Sequence, residues 1–293
     1  MIIANGVLKG KKNIFLVEKS LQYGFSINLF LDNLNLTMFE FISNYKTRYE
    51  SVDFAKIRDM DPIDMKTISF LSPLEGLKRD IICLGKNYIE HEKELRKTAL
   101  NTEINHKPIY FSKRAHSMIG SGQNIRIKKE NSKMLDYEVE LAVVIGKDCE
   151  NISKEEVKDC ILGITLANDI SARDLQANFQ QWYMGKSLLS SCPIGPYLWL
   201  DAKYPFHYDI SSYVNGQKRQ SDNTSNMIFD VEHIVTQISS IMPLYTGDVI
   251  LTGTPSGVGM GFKPPKYLKD GDIIKCILNN NMVLENRVMI IEE

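Results

Sequence analysis

Hydrophobic and polar positions alternate through much of this chain, most clearly in LDYEVELAVVIG, residues 135–146. Asp136, Glu138 and Glu140 take every second place and lead into Leu141, Ala142, Val143, Val144 and Ile145. That is the pattern of a strand that becomes buried, with the three acids on one face. Related patterns predict strands at residues 14–17, 81–84, 197–200 and 249–252, and a terminal hairpin over 273–291 that turns at 279–281. A turn is predicted near Tyr23 and Gly24.

Helical spacing is rarer. Met38, Phe39, Ile42 and Tyr45 predict a helix from Thr37, and Ile234, Ile238 and Ile241 another from about Asp230, with His233 at its third position. Capping-box spacing, Ser153 with Glu156 and Ser171 with Asp174, predicts two further starts. Strands with occasional helices in no regular order predict a β-rich α+β fold and not a doubly wound sheet. Residues 1–73 read as a small β-containing N-terminal domain, with Pro73 and Gly76 in a connector, and residues 78–293 as the main domain.

The chain has 293 residues, 43% of them hydrophobic, which suffices for a sizeable core. Its 35 basic and 36 acidic residues leave a net charge of -1, so no field draws it to nucleic acid or to a membrane, and a small polar partner is expected. Cys83, Cys149, Cys160, Cys192 and Cys276 are odd in number and widely spaced, which predicts reduced core thiols. No apolar run approaches the roughly 20 residues of a membrane span, and cytoplasm is the expected compartment.

Two steps along a strand separate side chains by roughly 6.6 Å. At an effective dielectric near 20, two carboxylates that far apart repel by about 2.5 kcal/mol. Either the acids form a solvated face or something positive sits beside them. Carboxylates without neighbouring His or Cys suit a hard cation, Mg²⁺, Mn²⁺ or Ca²⁺. Asp169, where an apolar run ends before Ser171, is a third ligand candidate, and otherwise an ordinary turn residue. Arg173 and Gln176 lie three apart on the helix that follows, and an Arg there suits a substrate carboxylate.

His91 and Glu94, also three apart, form a candidate acid-base pair in which the carboxylate orients the imidazole; the bland alternative is a solvated helix face. Lys186 is a candidate oxyanion or carboxylate partner, if it is not simply a surface lysine. His106, His116 and His207 have no such context. The Gly-rich run 253–259 follows a strand but lacks both the P-loop lysine and the dinucleotide spacing, which excludes phosphate-loop readings.

Six segments in order, GKNYIEHEKE, LDYEVELAVVIG, ANDISARDLQ, GKSLLSSCPIGP, NTSNMIF and GDVILTGTPSGVG, resemble the fumarylacetoacetate hydrolase family. The resemblance implies a mixed β-roll or barrel catalytic domain with a small N-terminal domain, usually in a homodimer. It implies metal ligands Glu138, Glu140 and Asp169 for Mg²⁺ or Mn²⁺, with Ca²⁺ possible in crystals, and places Asp136 behind or at the rim of that site. It implies His91 and Glu94 as the acid-base pair, on a segment that acts as a lid in relatives. Arg173, Gln176 and Lys186 match residues that contact substrate or polarise its oxygens, and Thr254 one that touches a substrate carboxylate. Lys113 keeps its place, but Phe111-Ser112-Lys113-Arg114 stands where relatives carry Phe-x-Lys-Pro, which frees the backbone and adds a charge.

The activity implied is metal-dependent hydrolysis of a C–C bond in an acylpyruvate-like 2-oxo acid through a metal-bound enolate. Glu94 orients His91, His91 activates water, and Lys186 with Gln176 stabilises the oxyanion. The alternatives are oxaloacetate decarboxylation, isomerisation of a hydroxymuconate-type or 2-hydroxyhepta-2,4-diene-1,7-dioate-type acid, and a metal-binding protein without turnover. The distal group of the substrate is expected to depend on residues between Glu94 and Ile109.

Overall fold

A computed structural model describes residues 1–95 and 107–292. His106 and most of the segment expected to govern the distal substrate group therefore lie outside the described residues.

The acid strand is at the centre of an 11-stranded sheet. Val139–Ile145 pairs antiparallel with Ile161–Asn168 on one side and Val249–Leu251 on the other. Val249–Leu251 runs parallel to Ile81–Gly85, which pairs with the edge strand Ile109–Lys113. In the other direction Ile161–Asn168 meets Tyr197–Trp199. Tyr197–Trp199 in turn pairs with Ile2–Leu8, so the strands of the first 71 residues hydrogen-bond into the same sheet. A second sheet of five strands contains Asp209–Val214, Gln217–Asn223 and the terminal hairpin Ile273–Leu278 with Met282–Ile291.

Alternation explains why the acid strand takes the central place. Leu141, Val143 and Ile145 face the core that contains Ile210, Cys276 and Leu284 of the second sheet. Ala142 and Val144 face the core built with Ile3, Ile14, Phe41 and Ile57 of the N-terminal segment. Each fully buried aliphatic side chain contributes about 1.5–3 kcal/mol relative to exposure, so neither face of this strand is free to meet water. All five cysteines are buried and free, as their spacing predicts.

The expected β-rich α+β class holds, but the main sheet is open, not a closed barrel. Its ends, Ile63–Asp64 and Ile109–Lys113, do not pair with each other. The turn predicted at Tyr23 is instead the strand Tyr23–Ser26, paired with Lys11–Val17. Gly24 marks close packing there, since a Cβ would lie 2.7 Å from Met65 Sδ. The helix at Thr37 forms over Met38–Ser43 with a true capping box, but Phe41 is buried where Phe39, 42% exposed, was expected to share the apolar face.

Two predicted caps differ. The Glu156 carboxylate accepts from Ser153 N–H at 2.8 Å, yet the helix is only Val157–Cys160. Ser171 belongs to a short strand, Ser171–Ala172, paired with Leu135–Asp136, and the helix is Arg173–Asn178. Asp174 turns away from the cap to accept from Ser132 Oγ at 2.6 Å and Lys133 N–H at 2.8 Å. The helix Val231–Ile241 has the Asp230 cap as expected, with Asp230 Oδ1 accepting from His233 N–H at 2.7 Å.

Candidate metal centre

Strand register alone assembles three acids. Val139 pairs with Asn168 and Glu140 with Ala167, so Glu138 and Asp169 come side by side just beyond the ladder, joined by Asp169 N–H to Glu138 O at 2.8 Å. Asn168 Oδ1 accepts from Glu138 N–H at 3.0 Å, which takes that amide out of the strand and sets the break between Leu135–Asp136 and Val139–Ile145. Carboxylate oxygens of Glu138, Glu140 and Asp169 lie within 4.8 Å of one another, and all three residues are buried.

Cations crowd this cluster. Arg173 Nη2 donates to Glu138 Oε1 at 2.6 Å and its Nε to Asp136 Oδ2 at 3.0 Å, while Nη1 donates to Gln176 Oε1 at 3.0 Å. Lys186 Nζ reaches Glu138 Oε2 and Asp169 Oδ2, each at 2.6 Å. Lys113 Nζ, wholly buried, lies 2.7 Å from Asp169 Oδ1 and donates to Ile170 O at 2.9 Å. Asp136 is no rim residue: it is wholly buried and also accepts from Gly259 N–H at 2.6 Å and Met260 N–H at 3.0 Å.

The buried carboxyls Asp136, Glu138, Glu140 and Asp169 thus face three buried cations, Lys113, Arg173 and Lys186, and one carboxyl is left without a cation. Burial acts to raise the Glu138 carboxyl, but Lys186 and Arg173 outweigh it and hold Glu138 well below the ordinary range. Among the described residues Glu140 accepts only from Gly253 N–H, at 2.7 Å. Burial, then Asp169 and Glu138, push it well above that range. Asp169 Oδ1 is paired in charge with Lys113 but accepts no hydrogen bond, so a lone pair is free. An all-oxygen donor set with one carboxyl lacking a cation and an unused lone pair fits a hard divalent cation, which Glu138, Glu140 and Asp169 would hold.

The candidate acid-base pair, His91 and Glu94, lies on the helix Ile89–Leu95. His91 is buried, its Nδ1 3.2 Å from Glu94 Oε2, and its charge bears on Glu138. Gly257 N–H reaches both oxygens of Glu94 at 3.1 Å. When Nδ1–H donates to the carboxylate, Nε2 keeps its lone pair for a proton. Thr254 donates to Val139 O at 2.9 Å and accepts from Gln220 Nε2 at 2.7 Å. Arg114, at the departure from the Phe-x-Lys-Pro pattern, uses the freed amide: its N–H donates to Ser187 Oγ at 3.2 Å.

Sequence reasoning missed three buried polar residues. Gln220 binds Thr254 and accepts from Val139 N–H at 3.1 Å. Its strand, Gln217–Asn223, is polar throughout and shows no periodic signal. Asn87 fixes the approach to the His91 helix through Phe229 and Thr252. Tyr88 has a buried hydroxyl with no partner among the described residues, and burial first and Glu140 next push its phenol well above the ordinary range. Asn87 and Tyr88 directly precede that helix, and their place in GKNYIEH was the available signal.

A β-rich α+β fold with a buried, cation-compensated carboxylate triad defines a class of oxygen-ligand metal site. The particular family follows from comparison with known proteins: residues 80–289 match the fumarylacetoacetate (FAA) hydrolase C-terminal profile, and the chain belongs to that family. It is 40% identical over 226 residues to oxaloacetate tautomerase YisK of Bacillus subtilis (strain 168), covering 76% of this chain and 74% of that protein. It is 37% identical over 267 residues to the mitochondrial oxaloacetate tautomerase FAHD2A of Bos taurus, covering 90% and 83%. The fold is similar to that of the fumarylacetoacetate hydrolase of psychrophilic Exiguobacterium antarcticum, with TM-score 0.86, 33% identity and coverage of 99% and 100%. Among the described residues no helix is long and apolar enough to cross a membrane.

Proposed function

We propose that this protein moves a proton at C3 of a 2-oxo acid, interconverting the keto and enol forms of an oxaloacetate-type dicarboxylate, with Mg²⁺ or Mn²⁺ at Glu138, Glu140 and Asp169. The observation that carries this reading is the buried His91–Glu94 pair within electrostatic reach of the acid triad. Held by these three acids, such a cation would supply the positive charge that acidifies the C3 protons of a 2-oxo acid. His91 Nε2 takes one of them. Glu94, fixed by Gly257 N–H, stabilises the imidazolium, and proton delivery to the 2-oxygen completes the enol. Arg173 and Lys186 keep Glu138 ionised, and Lys113 and Lys186 hold Asp169 in place.

Tautomerisation was not among the expectations drawn from the sequence, and it is chemically nearest to the isomerase alternative. It stands first because relatives covering most of this chain are named oxaloacetate tautomerases. C–C hydrolysis is the second reading. It is favoured by the likeness to the Exiguobacterium hydrolase and by a carboxylate-backed imidazole suited to activating water.

The test follows enol decay of oxaloacetate, carbon dioxide release and acylpyruvate cleavage side by side with either cation. We expect enol conversion to be accelerated, to fall about 10²- to 10⁴-fold in His91→Gln, and to vanish in Glu138→Gln. Faster release of two acids from an acylpyruvate moves the assignment to hydrolase. Faster loss of carbon dioxide than of enol moves it to decarboxylase.

A further inference from the structure

One cation near the loop that holds Glu94 has no anion among the described residues. Arg219, in the edge strand Gln217–Asn223, makes no side-chain hydrogen bond or ion pair with any described residue, and its Nε is buried without a partner. Its guanidinium lies over the ring of Phe262, 5.3 Å from the centroid. Lys266, likewise without an anion among the described residues, places Nζ 4.5 Å from the same centroid. Two cations on one ring repel, and a guanidinium whose buried Nε has no acceptor among the described residues gains from an anion that completes it.

The loop that carries Phe262 and Lys266 is tied to the catalytic acids. Gly257 donates to Glu94 and packs on the Arg219 backbone, where a Cβ would lie 2.1 Å from Arg219 O. Gly259 and Met260 donate to Asp136, and Gly259 O accepts from Lys266 N–H at 2.8 Å. Tyr137 donates to Gly257 O at 2.9 Å, and its phenol feels Arg219 and Glu94 together. Arg219 and Lys266 therefore meet at the loop whose amides hold Glu94 and Asp136.

We infer that Arg219, with Lys266 sharing the ring of Phe262, is the anchor for the second carboxylate of a dicarboxylic 2-oxo acid. This rests on the proposed reaction for its substrate class and adds the group that selects a dicarboxylate over a monocarboxylate. The guanidinium fork binds the distal carboxylate in two parallel hydrogen bonds, and Lys266 adds charge at the rim.

The experiment is calorimetric binding to Mn²⁺-loaded full-length protein of two probes, 3,3-difluorooxaloacetate, which has a distal carboxylate and cannot enolise, and oxamate, a monocarboxylate with the same carboxylate-carbonyl end. The unaltered protein should prefer the dicarboxylate. In Arg219→Gln its affinity should fall about 10- to 100-fold, in Lys266→Gln about threefold, and in Arg219→Lys less than in Arg219→Gln. Oxamate affinity should stay within about twofold in all of them, which also reports that the variants fold. Equal losses for both probes, no loss in Arg219→Gln, or no preference in the unaltered protein each overturns the anchor. If the preference exists and depends on Arg219 while oxaloacetate is not turned over, the assigned reaction fails and the anchor stands. If turnover occurs with KM unchanged in Arg219→Gln, the reaction stands and the anchor fails.

Discussion

Lys186 Nζ stands 2.6 Å from Asp169 Oδ2, with both side chains buried. The same ammonium lies 2.6 Å from Glu138 Oε2, so one lysine occupies oxygens from two of the three acids that suit a divalent cation. Lysine and cation then compete for the same electron density, and the ammonium must pivot or share when the cation enters. This places Lys186 where it opposes an incoming cation.

Lys186→Met should therefore bind Mn²⁺ at least about tenfold more tightly, because a positive charge a few ångströms away at an effective dielectric near 20 costs an incoming cation more than that. Without cation the same variant should be less stable by about 3–5 kcal/mol, since Glu138 and Asp169 lose a buried partner. Calorimetric titration and urea unfolding read the two effects separately. Weaker Mn²⁺ binding in the variant would show that the lysine supports the cation instead of opposing it.

Glu140 gives the site a pH dependence with a definite sign. Its carboxyl is raised by burial first and by Asp169 and Glu138 next, so the cation-free protein holds a proton there that the unfolded chain has lost. Stability from this group is thus present below the ordinary carboxylate range and declines as pH rises toward the raised folded value. Glu138 is depressed and acts in the opposite direction: its contribution is present above the ordinary range and is lost as pH falls. A cation needs Glu140 ionised, so binding should release close to one proton and strengthen about tenfold per pH unit while Glu140 remains protonated. Titrations in two buffers of different ionisation enthalpy count that proton. Binding without proton release would remove Glu140 from the ligand set.

Much of this was legible locally. Period-two placement of Asp136, Glu138 and Glu140 before an apolar run, and the three-residue spacing of His91 and Glu94, are signals carried by adjacent residues, and the structure gives them a central buried strand and a helix. What the sequence could not display is where cations from other segments arrive. Arg173 was read as a substrate grip, but its guanidinium spans Asp136 and Glu138, a contact made only when Ser171–Ala172 pairs with Leu135–Asp136. That pairing overrode the capping-box signal at Ser171, and Asp174 found Ser132 and Lys133 because the same pairing brings that loop beside the helix start. Gln220 had no signal at all, since its strand borrows its register from Asp209–Val214 and its burial from the Thr254 turn.

Arg173→Gln tests how far that guanidinium is structural. Two buried carboxylates would each lose a charged partner, and unfolding free energy should fall by about 3–5 kcal/mol without cation. Saturating Mn²⁺ should restore part of the loss by supplying positive charge to Glu138. Arg173→Lys should recover little, because one ammonium does not span both Asp136 and Glu138 as the planar fork does. A loss below about 1 kcal/mol in Arg173→Gln would mean that the two acids are satisfied without it.

Gly261 separates acid-base chemistry from cation binding. A Cβ there would lie 2.1 Å from Glu94 Oε1 and 2.3 Å from Glu94 Cδ, so the carboxylate has to move. It is the far end of a flexible side chain, and displacement costs the fold little, but it breaks the reach of Gly257 N–H to Glu94 and the contact with His91 Nδ1. Gly261→Ala should lower kcat about 10- to 100-fold, within the range assigned to general acid-base catalysis, and shift its pH profile as the imidazole loses its carboxylate. Unfolding free energy should change by less than about 1 kcal/mol, as for a substitution that disturbs one movable side chain. Mn²⁺ affinity should be unchanged because no triad residue touches Gly261. Unaltered kcat would mean that Glu94 works from the displaced position, and the orienting role argued for it would fall.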